Sequence, residues 1–179
     1  MGVSMPDSFE KAFKMVIEHE GHYSNDPADR GGATCWGITH SEINKFLGHT
    51  ANIDEVKNFP INSAKQIYKE KYWNAMKLDM IKSEIMRLLL FDQGVNRGCG
   101  TAIISIEKVL GIAVNGIMDE QTIHSINHRN PIKLGLDFVK AAQKAYISIA
   151  IRNPSQIGFL SGWINRTHKL LDMIYFGVS

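Results

Sequence analysis

Two carboxylates near the N-terminus have the surroundings that acid–base chemistry needs. Glu20 ends a stretch of apolar residues at helical spacing, and Asp29 follows in a polar loop rich in turn-forming residues. An acid against apolar side chains keeps its proton because burial disfavours the charged form, whereas a solvated aspartate stays ionised. A protonated acid facing an ionised carboxylate is the arrangement that cleaves a glycosidic bond. These two residues are therefore the first catalytic candidates.

Helical periodicity separates Glu20 from the neighbouring Glu18. The predicted first helix begins at Asp7 as its N-cap, and its apolar stripe consists of Phe9, Ala12, Phe13, Val16 and Ile17. Position 20 follows Phe9 by about three helical turns and lies on the apolar face, whereas position 18 follows it by about two and a half turns. The spacing predicts a solvated Glu18 and a Glu20 that leans on apolar neighbours.

The segment after this helix reads as turns followed by a short strand. Residues 24–33 contain Ser, Asn, Asp, Pro and paired Gly, and β-forming residues follow from Thr34. The Thr34 hydroxyl is a candidate to hold a water molecule. Structural alternatives stay open: Glu20 could bond loop amides, Asp29 could bond its own backbone, and Thr34 could be an ordinary strand residue.

Further along, aromatic and polar residues are candidates for holding a substrate. Flat apolar faces for sugar rings are offered by Tyr23, Trp36, Tyr72 and Trp73, although aromatic residues belong more often to a core. Asp92 and Asn96 continue the buried face of a helix expected from about Lys82. Burying polar groups there costs free energy unless they are bonded, so they either bind substrate or hold the catalytic loop.

The remaining sequence predicts further helices, with recognisable residues at their starts and ends. Capping boxes at Thr39–Glu42 and Ser63–Gln66 open two of them, and a long helix begins near Pro131 and ends at Asn153-Pro154. Glycines cluster at 97–101 and mark the expected lobe boundary. The expected lobes are a catalytic lobe, 1–96, and a helical lobe, 97–179, packed as one globular unit.

Composition excludes several classes of function. The formal net charge is +2 and the pI about 8.5, with no basic stripe, which argues against nucleic acid as a partner. No apolar run is long enough for a membrane span and the N-terminus has no ordinary signal, so we expect a protein made in the cytoplasm without membrane insertion. We also expect a monomer. Cys35 and Cys99 are expected to be reduced thiols.

A metal site is not expected. His19 and His22 flank Glu20, but they lie three residues apart rather than four, unlike the His-Glu-x-x-His zinc motif. A third ligand at suitable spacing is not evident. No metal or organic cofactor is therefore expected, and a metal-dependent peptidase is the weaker rival.

The N-terminal motifs resemble glycoside hydrolase family 108, which comprises phage endolysin-type N-acetylmuramidases and bacterial secretion activators. The similar runs are EGHY at 20–23, DP at 26–27, DRGGAT at 29–34 and GIT at 37–39. Others are IY at 67–68, YW at 72–73, FD at 91–92 and VN at 95–96. NG at 115–116 and GWINR at 162–166 resemble the C-terminal peptidoglycan-binding region of those proteins.

This resemblance implies a mainly α, lysozyme-like helical fold with a small β-ribbon next to the active-site cleft. It implies cleavage of the β-1,4 bond between N-acetylmuramic acid and N-acetylglucosamine in peptidoglycan, with Glu20 as the acid and Asp29 and Thr34 assisting. A phage or prophage endolysin, released to the periplasmic cell wall, is the favoured interpretation. The alternative is a peptidoglycan-binding or secretion-assisting protein without turnover. His22 and Arg30 depart from the family pattern, in which glycine and proline are usual.

Overall fold

The computed structural model describes residues 8–20, 22–24 and 32–177, without the side chains of His19 and Glu20. In these ranges the chain is mainly helical, as expected. The helices are α1 (Ser8–Glu20), α2 (His40–Leu47), α3 (Ile53–Lys57), α4 (Ile61–Tyr68), α5 (Glu84–Arg97), α6 (Cys99–Leu110), α7 (Glu120–Asn127), α8 (Pro131–Arg152) and α9 (Leu160–Phe176). A π-helical turn spans Lys69–Asn74, and 3-10 turns span Leu78–Met80 and Pro154–Phe159. None of these helices is long and apolar enough to cross a membrane.

The described strands form a small antiparallel ribbon. They are β1 (Tyr23–Ser24), β2 (Thr34–Cys35) and β3 (Ile38–Thr39), in that spatial order. Their register pairs Ser24 with Thr34 and Thr34 with Thr39, so β2 lies in the centre. The expected ribbon is therefore present where the sequence changes from turn-forming to β-forming residues.

The chain divides into two compact units, Met1–Asn74 and Ala75–Ser179. The core of the first unit contains the apolar face of α1. Phe9 meets the ring of Trp73 edge-on at 5.4 Å between centroids, and Phe13 meets Tyr68 in the same way at 5.5 Å. Ala12 and Val16 are also fully buried, so the predicted apolar stripe of α1 is confirmed for these four residues.

The second unit is built on α5, whose residues 88–91 are all fully buried. α5 packs against α6, α8 and α9, and α8 pairs with α9 along its length. Gly135 marks a close approach of three helices, because a Cβ there would lie 2.9 Å from Leu89 Cδ1 and 3.3 Å from Ile174 Cδ1. A larger residue at this crossing would require the Leu89 and Ile174 side chains to shift.

Most helix ends lie where the sequence predicts them. Thr39 and Glu42 form the capping box of α2, and Pro131 is the first residue of α8. The box predicted from Ser63 is wrong: α4 begins two residues earlier, at Ile61, with Pro60 as a cap that makes no side-chain bond. The predicted cap Asp7 lies outside the described residues.

The unit boundary differs from the expected lobe boundary. Residues 75–96 belong to the same compact unit as residues 97–179, because α5 packs against α6 and α8. The glycine cluster at 97–101 only separates α5 from α6, with Gly98 at φ +84° between them. The division into a catalytic lobe and a peptidoglycan-binding lobe stays a prediction.

Candidate active site

The backbone ends α1 at Glu20 and enters the ribbon three residues later. Glu18, one and a half turns after the buried Phe13, is exposed, as predicted. The side chain of Glu20 and the whole of Asp29 lie outside the described residues, so their catalytic roles stay predictions. What the structure does give is the frame on either side of them: a helix with a buried face before, and β2 after.

Thr34 lies on the central strand of that frame. It is half-buried and its backbone pairs with Ser24 on one side and Thr39 on the other. The next residue, Cys35, is fully buried, and burial raises the pKa of its thiol. Alternation along β2 therefore turns Thr34 away from the side on which Cys35 is buried.

Trp36 and Gly37 form a two-residue turn between β2 and β3. Both have positive φ, +53° and +72°, which is the geometry of a type I′ hairpin turn. A tryptophan rarely adopts this conformation, and here hydrogen bonds hold it. Its indole Nε1 donates to the carbonyl of Phe59 at 2.8 Å, and its own carbonyl accepts from the Tyr68 hydroxyl at 3.1 Å. The strain is offset by these contacts.

His22, one of the two departures from the family pattern, packs on this turn. Its ring meets the ring of Trp36 at 4.4 Å between centroids, nearly perpendicular. The backbone N–H of Trp36 also donates to the carbonyl of His22 at 2.8 Å. His22 therefore supports the turn through its ring as well as its backbone, and its side chain remains exposed.

The aromatic candidates differ in exposure. Tyr23, Trp36 and Tyr72 are half-buried, so each retains some accessible surface. Trp73 is 0% exposed and packs against Phe9, and its contacts support the core interpretation that the sequence left open. A fully buried ring cannot stack on a sugar, so Trp73 does not bind substrate directly.

The polar candidates of α5 have partners within the second unit. The Asp92 carboxylate, 1% exposed, accepts from Arg166 Nε at 2.8 Å and from Gln93 Nε2 at 3.0 Å. The Asn96 side-chain oxygen accepts from the Tyr146 hydroxyl at 2.8 Å. Bonding of this kind explains how two polar groups lie on a core stripe, and it favours a structural role for Asp92.

Two residues that sequence reasoning did not select complete this network. Arg97 lies over the Tyr146 ring at 5.4 Å, and burial lowers the pKa of its guanidinium. Burial, and then the nearby Asp92 charge, raises the pKa of Tyr146. Tyr146 has core spacing in the sequence, so nothing local indicates that its hydroxyl bonds a residue fifty positions away.

Metal ligands do not cluster in the described ranges. No group of three or more His, Cys, Asp or Glu side chains is placed to hold an ion there. Cys35 and Cys99 are both free thiols.

Comparison with known proteins gives a match to a family model and a similar fold. Residues 13–98 match the family model described as Glycosyl hydrolase 108, which supports a glycoside hydrolase. The structure of Brucella abortus SagA is similar, with a TM-score of 0.80 and 24% identity over 96% of this chain and 97% of that one. The mainly α, lysozyme-like fold with a small β-ribbon is thereby confirmed. No curated protein matches the chain.

Proposed function

We propose that the chain belongs to glycoside hydrolase family 108 and is an N-acetylmuramidase. Its substrate is peptidoglycan, in which it cleaves the β-1,4 bond between N-acetylmuramic acid and N-acetylglucosamine. The family match over residues 13–98 supports this, since that range contains every proposed catalytic and substrate-binding residue. A glycan substrate, peptidoglycan above all, also agrees with the accessible surface of Tyr23, Trp36 and Tyr72.

One structural observation carries the proposal. A helix with a buried apolar face ends at Glu20, and a strained, well-bonded ribbon with Thr34 on its central strand follows. A general acid requires apolar neighbours that keep it protonated, and a water-positioning residue requires a fixed backbone. The buried face of α1 and the bonded backbone of β2 support these two roles.

In the proposed mechanism, Glu20 protonates the glycosidic oxygen as the bond to the sugar carbon breaks. Asp29 stays ionised and either activates the attacking water or stabilises the positive charge that develops on the sugar. The Thr34 hydroxyl orients the water molecule. These steps need only the side chains of this chain and one water.

The proposal extends to the biological setting. We propose an endolysin of a phage or prophage, synthesised in the host cytoplasm and active as a monomer on the periplasmic wall after release. Purification from host cells before and after prophage induction, with fractionation of cytoplasm and periplasm, tests this part separately from the chemistry.

A turbidity assay on permeabilised Gram-negative cells tests the activity. Wild-type protein is expected to clear the walls, and Glu20→Gln is expected to lose clearing by about 100-fold or more, the range for removal of a general acid. Glu18→Gln is the matched control, since it removes an exposed charge one half-turn away on the same helix. Circular dichroism of all three proteins checks that they fold alike.

Three outcomes contradict the proposal. If Glu20→Gln clears walls at the wild-type rate, Glu20 is not the general acid. Binding of sacculi without any clearing by the wild type indicates a binding or secretion-assisting protein. Loss of clearing with a chelator, together with release of free amino groups, indicates a metal-dependent peptidase.

A further inference from the structure

The end of the α8–α9 hairpin exposes an unusual amount of apolar side chain. We define the helical tip as residues 147–159, from the last turns of α8 through the 3-10 turn Pro154–Phe159. Its exposed members are Ile147, Ile149, Ile151, Ile157 and Phe159, and the last three are 60–74% exposed. Exposed large apolar residues are ordinary when scattered, but five within thirteen residues of a helical hairpin mark an interaction surface.

The charges around the helical tip are all of one sign. Residues 138–171, all of them described, contain five Lys or Arg and no Asp or Glu. Arg166 is paired with the buried Asp92, so the other cations are Lys140, Lys144, Arg152 and Lys169. The nearest carboxylates in the sequence are Asp137 and Asp172, at the other ends of α8 and α9. Charge complementarity therefore favours an anionic partner for this end of the hairpin.

Along α8, one exposed stripe changes from charged to apolar residues toward the tip. Lys140, Lys144, Ile147 and Ile151 are spaced i, i+4, i+7 and i+11, so they form one exposed stripe. The stripe changes from lysine to isoleucine toward the tip. From Lys144 to Ile151 the helix rises about 10 Å, which matches the depth to which apolar faces enter a bilayer boundary.

Aromatic packing holds the tip in place. Phe159 lies nearly parallel to the Trp163 ring at 6.1 Å, and Trp163 stacks on the buried Tyr146 at 5.1 Å. This row of rings supports Phe159 from inside the unit while its side chain stays exposed. An apolar tip that is fixed rather than mobile loses less entropy when a partner covers it.

We propose that the helical tip binds the surface of a bilayer that contains anionic phospholipids. Ile147, Ile151, Ile157 and Phe159 enter the boundary between headgroups and acyl chains. Lys140 and Lys144 extend along the helix and reach the phosphate groups with their ammonium ends. This is interfacial binding through one end of a hairpin, and it does not depend on the proposed hydrolase activity.

Two other occupants fit the surface less well. A glycan strand stacks on aromatic faces and hydrogen-bonds polar groups, whereas four of the five exposed apolar residues are isoleucines. A second copy that packs through the tip would cover the isoleucines but would offer Lys140 and Lys144 no carboxylate, since residues 138–171 contain none. An acidic lipid surface offers acyl chains to the isoleucines and phosphate groups to the lysines.

Vesicle co-sedimentation tests the proposal on the full chain. Vesicles of phosphatidylethanolamine and phosphatidylglycerol are compared with vesicles of phosphatidylcholine, at low and high salt. The expected result is binding to the anionic vesicles that weakens with salt. Lys140→Gln with Lys144→Gln is expected to weaken it about 30-fold, from about 1 kcal/mol for each lysine at an anionic surface. Lys45→Gln with Lys57→Gln is the control of equal charge change, in exposed positions of the first unit.

The apolar part of the helical tip is tested by a second double variant with a matched control. Ile151→Asn with Phe159→Asn is expected to weaken vesicle binding about tenfold or more. Ile117→Asn with Phe176→Asn removes the same residue types from other highly exposed sites in the unit, and is expected to bind like wild type. Glu20→Gln is also expected to bind vesicles normally, which separates this result from the outcome of the wall-clearing assay.

Three results would overturn the proposal. One is equal, salt-independent binding to both kinds of vesicle. Another is no vesicle binding together with dimer formation that Ile151→Asn abolishes. The last is retention on purified sacculi, but not on vesicles, that the tip variants lose.

Discussion

Polar side chains around the ribbon and around α5 bond to different kinds of partner. Near the ribbon they mostly bond to backbone carbonyls: Trp36 to Phe59, Tyr68 to Trp36, and His40 to Ala51 at 2.7 Å. Around α5 they bond to one another across helices, as in Asp92 with Arg166, Asn96 with Tyr146 and Gln143 with Thr167. The first pattern fixes the course of a loop, and the second fixes the packing of helices.

This difference shows how each region serves the proposed function. The proposed function needs Thr34 held on a strand that follows the end of α1, so the backbone there must be fixed locally. A helical unit needs its core polar groups satisfied, because an unpaired buried charge is costly. The comparison therefore predicts large effects when the α5 network loses one partner and smaller effects when single bonds near the ribbon are removed.

The largest effect is expected from Arg166→Met. This variant leaves the buried Asp92 carboxylate without its charged partner, and we expect the free energy of unfolding to fall by about 3–5 kcal/mol. Urea unfolding followed by circular dichroism measures it. Lys133→Met is the control, because its ion pair with Asp137 is exposed and its removal should leave stability nearly unchanged. Equal losses in both variants would remove the distinction between the two kinds of pair.

Gly116→Ala is expected to have the next largest effect. Gly116 has φ +73°, which costs about 1–2 kcal/mol for a residue with a Cβ. The added Cβ would also lie 3.2 Å from Ile104 Cγ1, while the buried Glu107 carboxylate holds the N–H of Gly116 at 3.0 Å.

Gly48→Ala separates the two contributions to this effect. Gly48 has φ +76° and no atom within 4 Å of an added Cβ, so only the backbone cost applies there. Thermal unfolding should therefore show a larger loss for Gly116→Ala. If the two variants lose equal stability, Glu107 and Ile104 do not constrain the turn as described.

Trp36→Phe should lower the free energy of unfolding by about 1 kcal/mol, the net value of one hydrogen bond. The change keeps an aromatic ring against His22 but removes the N–H that bonds Phe59. We expect wall clearing to fall as well, because the turn adjoins the strand that contains Thr34. Loss of stability with unchanged clearing would limit Trp36 to a structural role.

The smallest effect is expected from Glu42→Gln, and it should depend on pH. Burial raises the pKa of Glu42, but hydrogen bonds from Lys71 and Thr39 outweigh it, so the folded-state pKa lies below the ordinary 4.5. The Glu42 contribution is therefore present above pH 4.5 and lost as the pH falls through the lowered value.

The partner Lys71 limits this contribution at the alkaline end. Burial lowers the pKa of Lys71, but the bonds of Lys71 with Glu42 and Tyr72 outweigh burial and raise this pKa above the ordinary 10.5. The stabilisation by Lys71 is therefore lost as the pH rises through the raised pKa. At neutral pH we expect Glu42→Gln to cost about 0.5 kcal/mol. The difference from wild type should vanish in acid; a constant difference would show that the charge has no role.

Local sequence patterns predict the elements far better than the contacts between them. The α1 stripe, the Thr39 capping box and Pro131 at the start of α8 are confirmed because each depends on residues within one or two turns. The predicted start at Ser63 is wrong because Pro60 ends the preceding segment and fixes the backbone for α4.

The partners of the candidate residues were predictable only in part. Spacing shows that Asp92 and Asn96 lie on a core stripe, but their partners, Arg166 and Tyr146, are 74 and 50 residues away. Similarly, nothing in the run from Thr34 to Ile38 indicates that Trp36 takes a positive φ, because the stabilising carbonyl and hydroxyl come from Phe59 and Tyr68. Long-range partners of this kind have no signature in a single sequence.

Mass spectrometry of digested sacculi tests the central claim most directly, because it identifies the bond that is cut and the new end. Wild-type protein is expected to release muropeptides that end in N-acetylmuramic acid, and Glu20→Gln is expected to release almost none. New ends at N-acetylglucosamine, free amino groups, or the same products from Glu20→Gln would contradict the account.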